Sequence, residues 1–141
     1  MFSVTKSFKI PIGHRLSKHE GRCSSYHGHN LKIDITVQRA TLNNNDMVID
    51  FYDLKKLVGL ILDSFDHCMI VNPGDINSLT LTETSTNQRM IKMPSGDPTS
   101  ENMCYLLFQM LCTEITAIDS NLRLKSVVIW ESDESFAKYE V

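Results

Sequence analysis

Residues 23–40 read CSSYHGHNLKIDITVQRA, and from Leu31 onward the apolar side chains Leu31, Ile33, Ile35 and Val37 alternate with Lys32, Asp34, Thr36 and Gln38. A period of two is the signature of a strand with one buried face, so a strand is predicted over His29–Ala40. His27 and His29 share the parity of Leu31 and Ile33. If the strand begins near Tyr26, both imidazoles turn toward the face that the apolar residues bury. Two such residues sit only about 6–7 Å apart along a strand, close enough for both rings to reach one ion.

Working outward, Phe2–Ile10 reads as a first strand, joined to the second by a basic loop. Beyond the turn NNND (43–46), Leu54, Leu57, Val58, Ile61, Leu62 and Phe65 recur at helical spacing, with Asp50 placed to cap. Residues 72–96 are polar and turn-rich, with a short strand over Arg89–Met93. A second helix begins near PTSEN (98–102), where Thr99 or Ser100 can cap, and its stripe runs from Met103 to Ile118. The segments LKSVVIWES (124–132) and SFAKYEV (135–141) form a hairpin around Asp133 and Glu134. The order is an α+β arrangement in a single domain spanning 1–141.

Composition narrows the function. A net charge of −3 opposes general nucleic-acid binding, which needs a basic face. No apolar run approaches the ~20 residues that span a bilayer, and MFSVTKSFKIPIG (1–13) is no signal-peptide core, so a cytoplasmic protein is expected. Four cysteines could make two bridges, but a chain of 141 residues needs no staple, and reduced thiols are expected. Cys68, Cys104 and Cys112 read as small apolar residues. Between His14 and Cys23, Arg15, Lys18, His19 and Arg22 face only Glu20, giving either a solvated loop or a seat for an anion.

The HGH pair needs a third ligand. His14, where the first strand ends, comes beside His27 and His29 if the two strands are antiparallel partners; His19 serves equally on spacing. Three imidazoles with a free fourth position make a catalytic zinc site, whereas three plus the Cys23 thiolate make a closed structural one. Asp66 and His67 form either a general acid/base pair or a helix end with a solvated acid. Glu101 is explained by the helix macrodipole. Glu131 continues the row of Val127 and Ile129, where a carboxylate must accept hydrogen bonds from backbone groups or from the N–H edge of a ligand.

Taken together, HRL (14–16), CSSYHGHN (23–30), VIDFYDLK (48–55), FDHCMIV (65–71), PTSEN (98–102) and VVIWES (127–132) resemble the 6-pyruvoyl-tetrahydropterin synthase family, in that family's order and over nearly the whole chain. The resemblance implies a tunnelling fold: a four-stranded antiparallel sheet with two inserted helices, in trimeric barrels stacked as a homohexamer with active sites between subunits. It implies Zn2+ held by His14, His27 and His29, with Cys23 as the proton-abstracting base and Asp66 and His67 as its acid/base partners. Glu131 would anchor the pterin, with Thr99 and Glu101 lining the same pocket. A zinc ion and an arginine near a thiol favour its thiolate, which agrees with a base rather than a ligand at Cys23.

Three residues, Ser24, Ser25 and Tyr26, separate Cys23 from HGH, as in the 6-carboxytetrahydropterin synthases of queuosine and deazapurine biosynthesis; the pyruvoyl-forming enzymes typically carry more. The expected substrate is the pterin triphosphate 7,8-dihydroneopterin triphosphate, with Arg15, Lys18 and Arg22 holding its phosphates. Two departures stand out. IPIGH (10–14) replaces the family's aromatic and small residues, so the first strand is expected to kink or bulge at Pro11. CMIVNPGD (68–75) lacks the common leucine-asparagine ending.

Overall fold

Thirteen consecutive pairs, from Phe2↔Arg39 to His14↔His27, join β1 (Phe2–His14) to β2 (His27–Arg39) in an antiparallel ladder. A computed structural model describes all 141 residues. Every second residue of β2 from Leu31 to Arg39 is buried, matching the sequence alternation. The strand runs from His27, two residues earlier than predicted, so both imidazoles belong to it.

β5 (Arg123–Trp130) pairs antiparallel with β2, with a shift at Thr36/Val37 that leaves Lys125 unpaired, and β6 (Phe136–Glu140) returns along β5. On the other side, β3 (Cys68–Val71) runs parallel to β1, and β4 (Met90–Lys92) runs parallel to β3. The sheet is therefore six-stranded and mixed, in the order β4-β3-β1-β2-β5-β6. This corrects the expected four antiparallel strands. β3 is a run of four apolar residues, Cys68, Ile70 and Val71 buried and Met69 part-buried, a pattern without polar alternation that a period-two reading passes over.

One face of the sheet is covered by α1 (Phe51–Leu62) and α3 (Ser100–Ile118). Leu54, Val58 and Leu62 from α1 and Met103, Leu107, Leu111 and Ile115 from α3 close on Ile33, Ile35, Val127 and Ile129. Asp50 caps α1 by accepting from Tyr52 N, and Thr99 caps α3 by accepting from Asn102 N. The opposite face is polar: Ser7 and Trp130 both donate to Asp34.

A third helix, α2 (Ile76–Thr84), occupies the stretch read as turns. Its buried residues are Ser78 and Thr82, not an apolar stripe, and Thr82 Oγ1 donates back to the Ser78 carbonyl. Helical periodicity in hydrophobicity cannot find such a segment.

Pro11 does not kink β1. It pairs with Asn30 in an unshifted ladder, and its carbonyl accepts from His67 N on the β3 side. In a strand, the N and O of one residue point the same way, so the missing N–H also faces β3 and costs no rung of the β1–β2 ladder.

Candidate active site

The ends of β1 and β2 bring three imidazoles together. His14 lies directly across from His27, and His29 lies across from Ile12. The ring centroids are 4.6, 5.1 and 5.0 Å apart, and the ligating atoms all fall within 4.8 Å of one another. Gly28 permits this approach: a Cβ there would sit 2.8 Å from the Ile12 carbonyl oxygen and force the two ligand-bearing strands apart. His19 takes no part; its Nδ1 accepts from Gly21 N.

Hydrogen bonds outside the cluster orient the rings. His14 Nδ1 donates to the Pro98 carbonyl at 2.8 Å, and His27 Nδ1 donates to the Ser25 carbonyl at 2.7 Å. In both, the Nε2 lone pair is left for another partner. His14 is 1% exposed, and its Nε2 has no hydrogen bond within the chain. Burial pushes the His14 pKa below the ordinary imidazole value, opposed by the Pro98 bond and reinforced by His27 and His29. A neutral, buried imidazole with an orphaned acceptor is the donor a divalent transition metal takes, so the three residues fit a zinc ion.

Cys23 lies in a single 3-10 turn, Arg22–Ser24, half-buried, and the Leu16 N–H donates to its carbonyl at 2.8 Å. The metal-competent group comprises the three imidazoles without this sulfur. All four cysteines are free. Glu131 follows directly after β5, with Oε1 accepting from Ser100 Oγ at 2.7 Å and lying 4.0 Å from His29 Nε2. It borders a cavity of about 330 Å³ shared with Leu16, Thr99, Ser100, Glu101 and Phe136.

Asp66 and His67 form a dyad, His67 Nδ1 donating to Asp66 Oδ1 at 2.6 Å. His67 adopts the left-handed region (φ 58°), its N–H anchored on β1, and its side chain is 76% exposed. The dyad shares no hydrogen bond with the imidazole cluster.

The basic loop divides in two. Arg15 is spent on Asp75, with Nε–Oδ2 at 2.7 Å, and stacks over Tyr26; Lys18 and Arg22 are exposed. Asp97 grips the loop as well, with Oδ1 accepting from Ser17 Oγ (2.6 Å) and Asn72 Nδ2 (2.8 Å) and Oδ2 from Lys18 N (3.0 Å). Burial alone would raise this carboxyl's pKa, but the Ser17, Lys18 and Asn72 donors outweigh it and hold it at about 2. Because the folded value lies below the unfolded 3.8, the stabilisation is full above pH 4 and disappears as pH falls through 2. In urea titrations of metal-free protein, Asp97→Asn should cost roughly 2 kcal/mol at neutral pH and progressively less below pH 4; a gap independent of pH would count against this. Asp97 and Asn72 are not among the residues read from the sequence, and Pro98 and Ser100 enter there only within PTSEN, Ser100 as a candidate cap, although Asp97 and Pro98 immediately precede the cap of α3.

The 6-pyruvoyl tetrahydropterin synthase family model matches residues 3–141. The chain belongs to that family. The family is enzymatic, and this chain is one of its enzymes. It is 31% identical over 147 residues to the 6-carboxy-5,6,7,8-tetrahydropterin synthase of Haemophilus influenzae, with 99% of each chain covered. It is 24% identical to the Aquifex aeolicus protein of the same name, covering 99% of this chain and 98% of that one. Among solved structures, an uncharacterized protein of Wolinella succinogenes superposes with a TM-score of 0.83 at 20% identity, covering 99% and 97% of the two chains. The 6-pyruvoyl tetrahydropterin synthase of Caenorhabditis elegans superposes at 0.72 with 22% identity, covering 99% and 95%. These likenesses show a fold shared with the 6-pyruvoyl tetrahydropterin synthases. No helix is long and apolar enough to cross a membrane.

Proposed function

We propose that this enzyme is a 6-carboxy-5,6,7,8-tetrahydropterin synthase, converting 7,8-dihydroneopterin triphosphate and water to 6-carboxytetrahydropterin, acetaldehyde and triphosphate. The observation that carries the reading is the cluster of His14, His27 and His29, with the free Cys23 outside that group, in a chain related to synthases of that name. The three imidazoles would hold a zinc ion, which when bound supplies a Lewis acid for the oxygens of the substrate side chain. Cys23 removes the carbon-bound proton of that side chain, and Asp66 with His67 takes and returns protons on its other side.

Glu131 accepts from the N–H edge of the pterin in the cavity bordered by Thr99 and Glu101. Ser100 supports it, because a hydroxyl already donating to Oε1 fixes the carboxylate's rotamer. Lys18 and Arg22 hold the triphosphate, the Arg15 charge being met by Asp75. The enzyme works in the cytoplasm as a homohexamer in which a neighbouring subunit completes each site, a reading supported by the family and by the exposure of His67.

The test is product identity. Purified protein given dihydroneopterin triphosphate should release acetaldehyde and carry one zinc per chain; a pyruvoyl product without acetaldehyde would assign it to the biopterin branch of the family. In the same assay, removing the Lys18 and Arg22 charges should raise KM for the triphosphate but not for dihydroneopterin. Equal effects on both would remove these two residues from phosphate binding.

A further inference from the structure

Asp97 and Pro98 sit between three parts of the site without touching the reacting positions. The Asp97 carboxylate holds Ser17 and Lys18 from the loop, while the next carbonyl along the chain, that of Pro98, accepts from His14 Nδ1. Because His14 and Ser17 are three residues apart, these contacts close a ring: His14 to Pro98, Pro98 to Asp97, Asp97 to Ser17, and back along the chain to His14. A ring closed by hydrogen bonds at two points leaves the imidazole little freedom to rotate. Leu16, inside the ring, donates its N–H to the Cys23 carbonyl, so the turn that carries the thiol hangs from the same support.

Asp97 is itself fixed. It is 7% exposed; its carbonyl accepts from Asn102 Nδ2 and Thr99 N, and Asn72 fills the remaining position on Oδ1. From these contacts we infer that Asp97 is a positioning residue that sets the His14 ring and the Cys23 turn together, through Pro98 on one side and Ser17 and Leu16 on the other. The inference rests on the proposed roles of His14 and Cys23.

Asp97→Asn tests it with little change in volume. Every contact to this carboxylate comes from a donor. With the amide nitrogen at the Oδ2 position, it faces the Lys18 N–H; in the flipped orientation it faces Asn72 Nδ2, whose own oxygen already accepts from Gly74 N. Either way one donor meets another. The expected results are a weakening of zinc binding by about 10- to 100-fold in competition with a chromophoric chelator, a change of at least about threefold in the rate at which iodoacetamide alkylates Cys23, and a fall in kcat larger than the rise in KM.

If Asp97→Asn does not fold, Ser17→Ala removes one of the two loop contacts to the carboxylate, leaving the Lys18 N–H on Oδ2, and should weaken zinc binding in the same direction by a smaller factor. A lowered melting temperature with unchanged zinc affinity, alkylation rate and kcat would make Asp97 merely structural and overturn the inference. The first two readouts need no substrate. Failure of the wild-type protein to turn over the pterin would therefore discard the proposed function and still leave this inference to be judged on metal and thiol.

Discussion

Cys23→Ala should retain one zinc per chain and lose turnover by about 10²- to 10⁴-fold, the range over which a positioned base contributes. The two halves of that result follow from different observations. Zinc stays because the metal-competent group is complete in His14, His27 and His29, each on a strand whose register is fixed by the β1–β2 ladder. Turnover goes because no other cysteine stands in: Cys68 and Cys104 are buried, Cys104 is pushed by burial to a pKa of about 11, and Cys112 packs against the hydrophobic core from α3. Metal analysis and steady-state rates on one preparation read both halves. Joint loss of zinc and activity would instead make the sulfur a ligand and the site a closed structural one.

His14→Ala is expected to have the largest effect of any single substitution at the site. It removes one of three ligands, and the two imidazoles left on β2 are a pair rather than a pocket. It also empties a position that is 1% exposed and strips the Pro98 carbonyl of its donor, which costs about 1–3 kcal/mol for a buried acceptor left unpaired. Purified variant should carry no measurable zinc, show no turnover above background, and melt below the wild type even when both are metal-free. His19→Ala should match the wild type in zinc content, since the His19 ring is engaged with Gly21 in the loop. A His14→Ala protein with full zinc would dismantle the proposed centre.

What could be read before any coordinates depended on how each feature writes itself into sequence. Period-two alternation in β2 and the helical stripes of α1 and α3 are hydrophobic patterns, and all three elements form around them, though β2 starts at His27 and not His29 and α1 ends at Leu62, before Phe65 of its stripe. The caps Asp50 and Thr99 were equally legible, because a capping side chain must sit at a fixed offset from the helix it starts. α2 was not, since it packs through Ser78 and Thr82; nor was β3, which is short and apolar without polar alternation.

At the site, the imidazole triad follows from strand parity and a strand end, whereas the contacts that aim it come from far along the chain. Pro98 is 84 residues from His14, and no local pattern announces that meeting. The Asp75 partner of Arg15 is hidden from sequence for the same reason: it is 60 residues away, at the start of a helix that hydrophobicity does not reveal.

Pro11 has a role beyond being tolerated in its strand. A segment docking alongside β1 needs donors and acceptors to alternate down the edge it meets, and at this residue the edge offers oxygen but no hydrogen. β3 therefore cannot slide toward the start of β1 and extend its pairing, because the next rung would set one of its carbonyls against a pyrrolidine ring. The ring acts as an end-stop. It limits how far along β1 the strand β3, and with it the adjoining Asp66 and His67, can run.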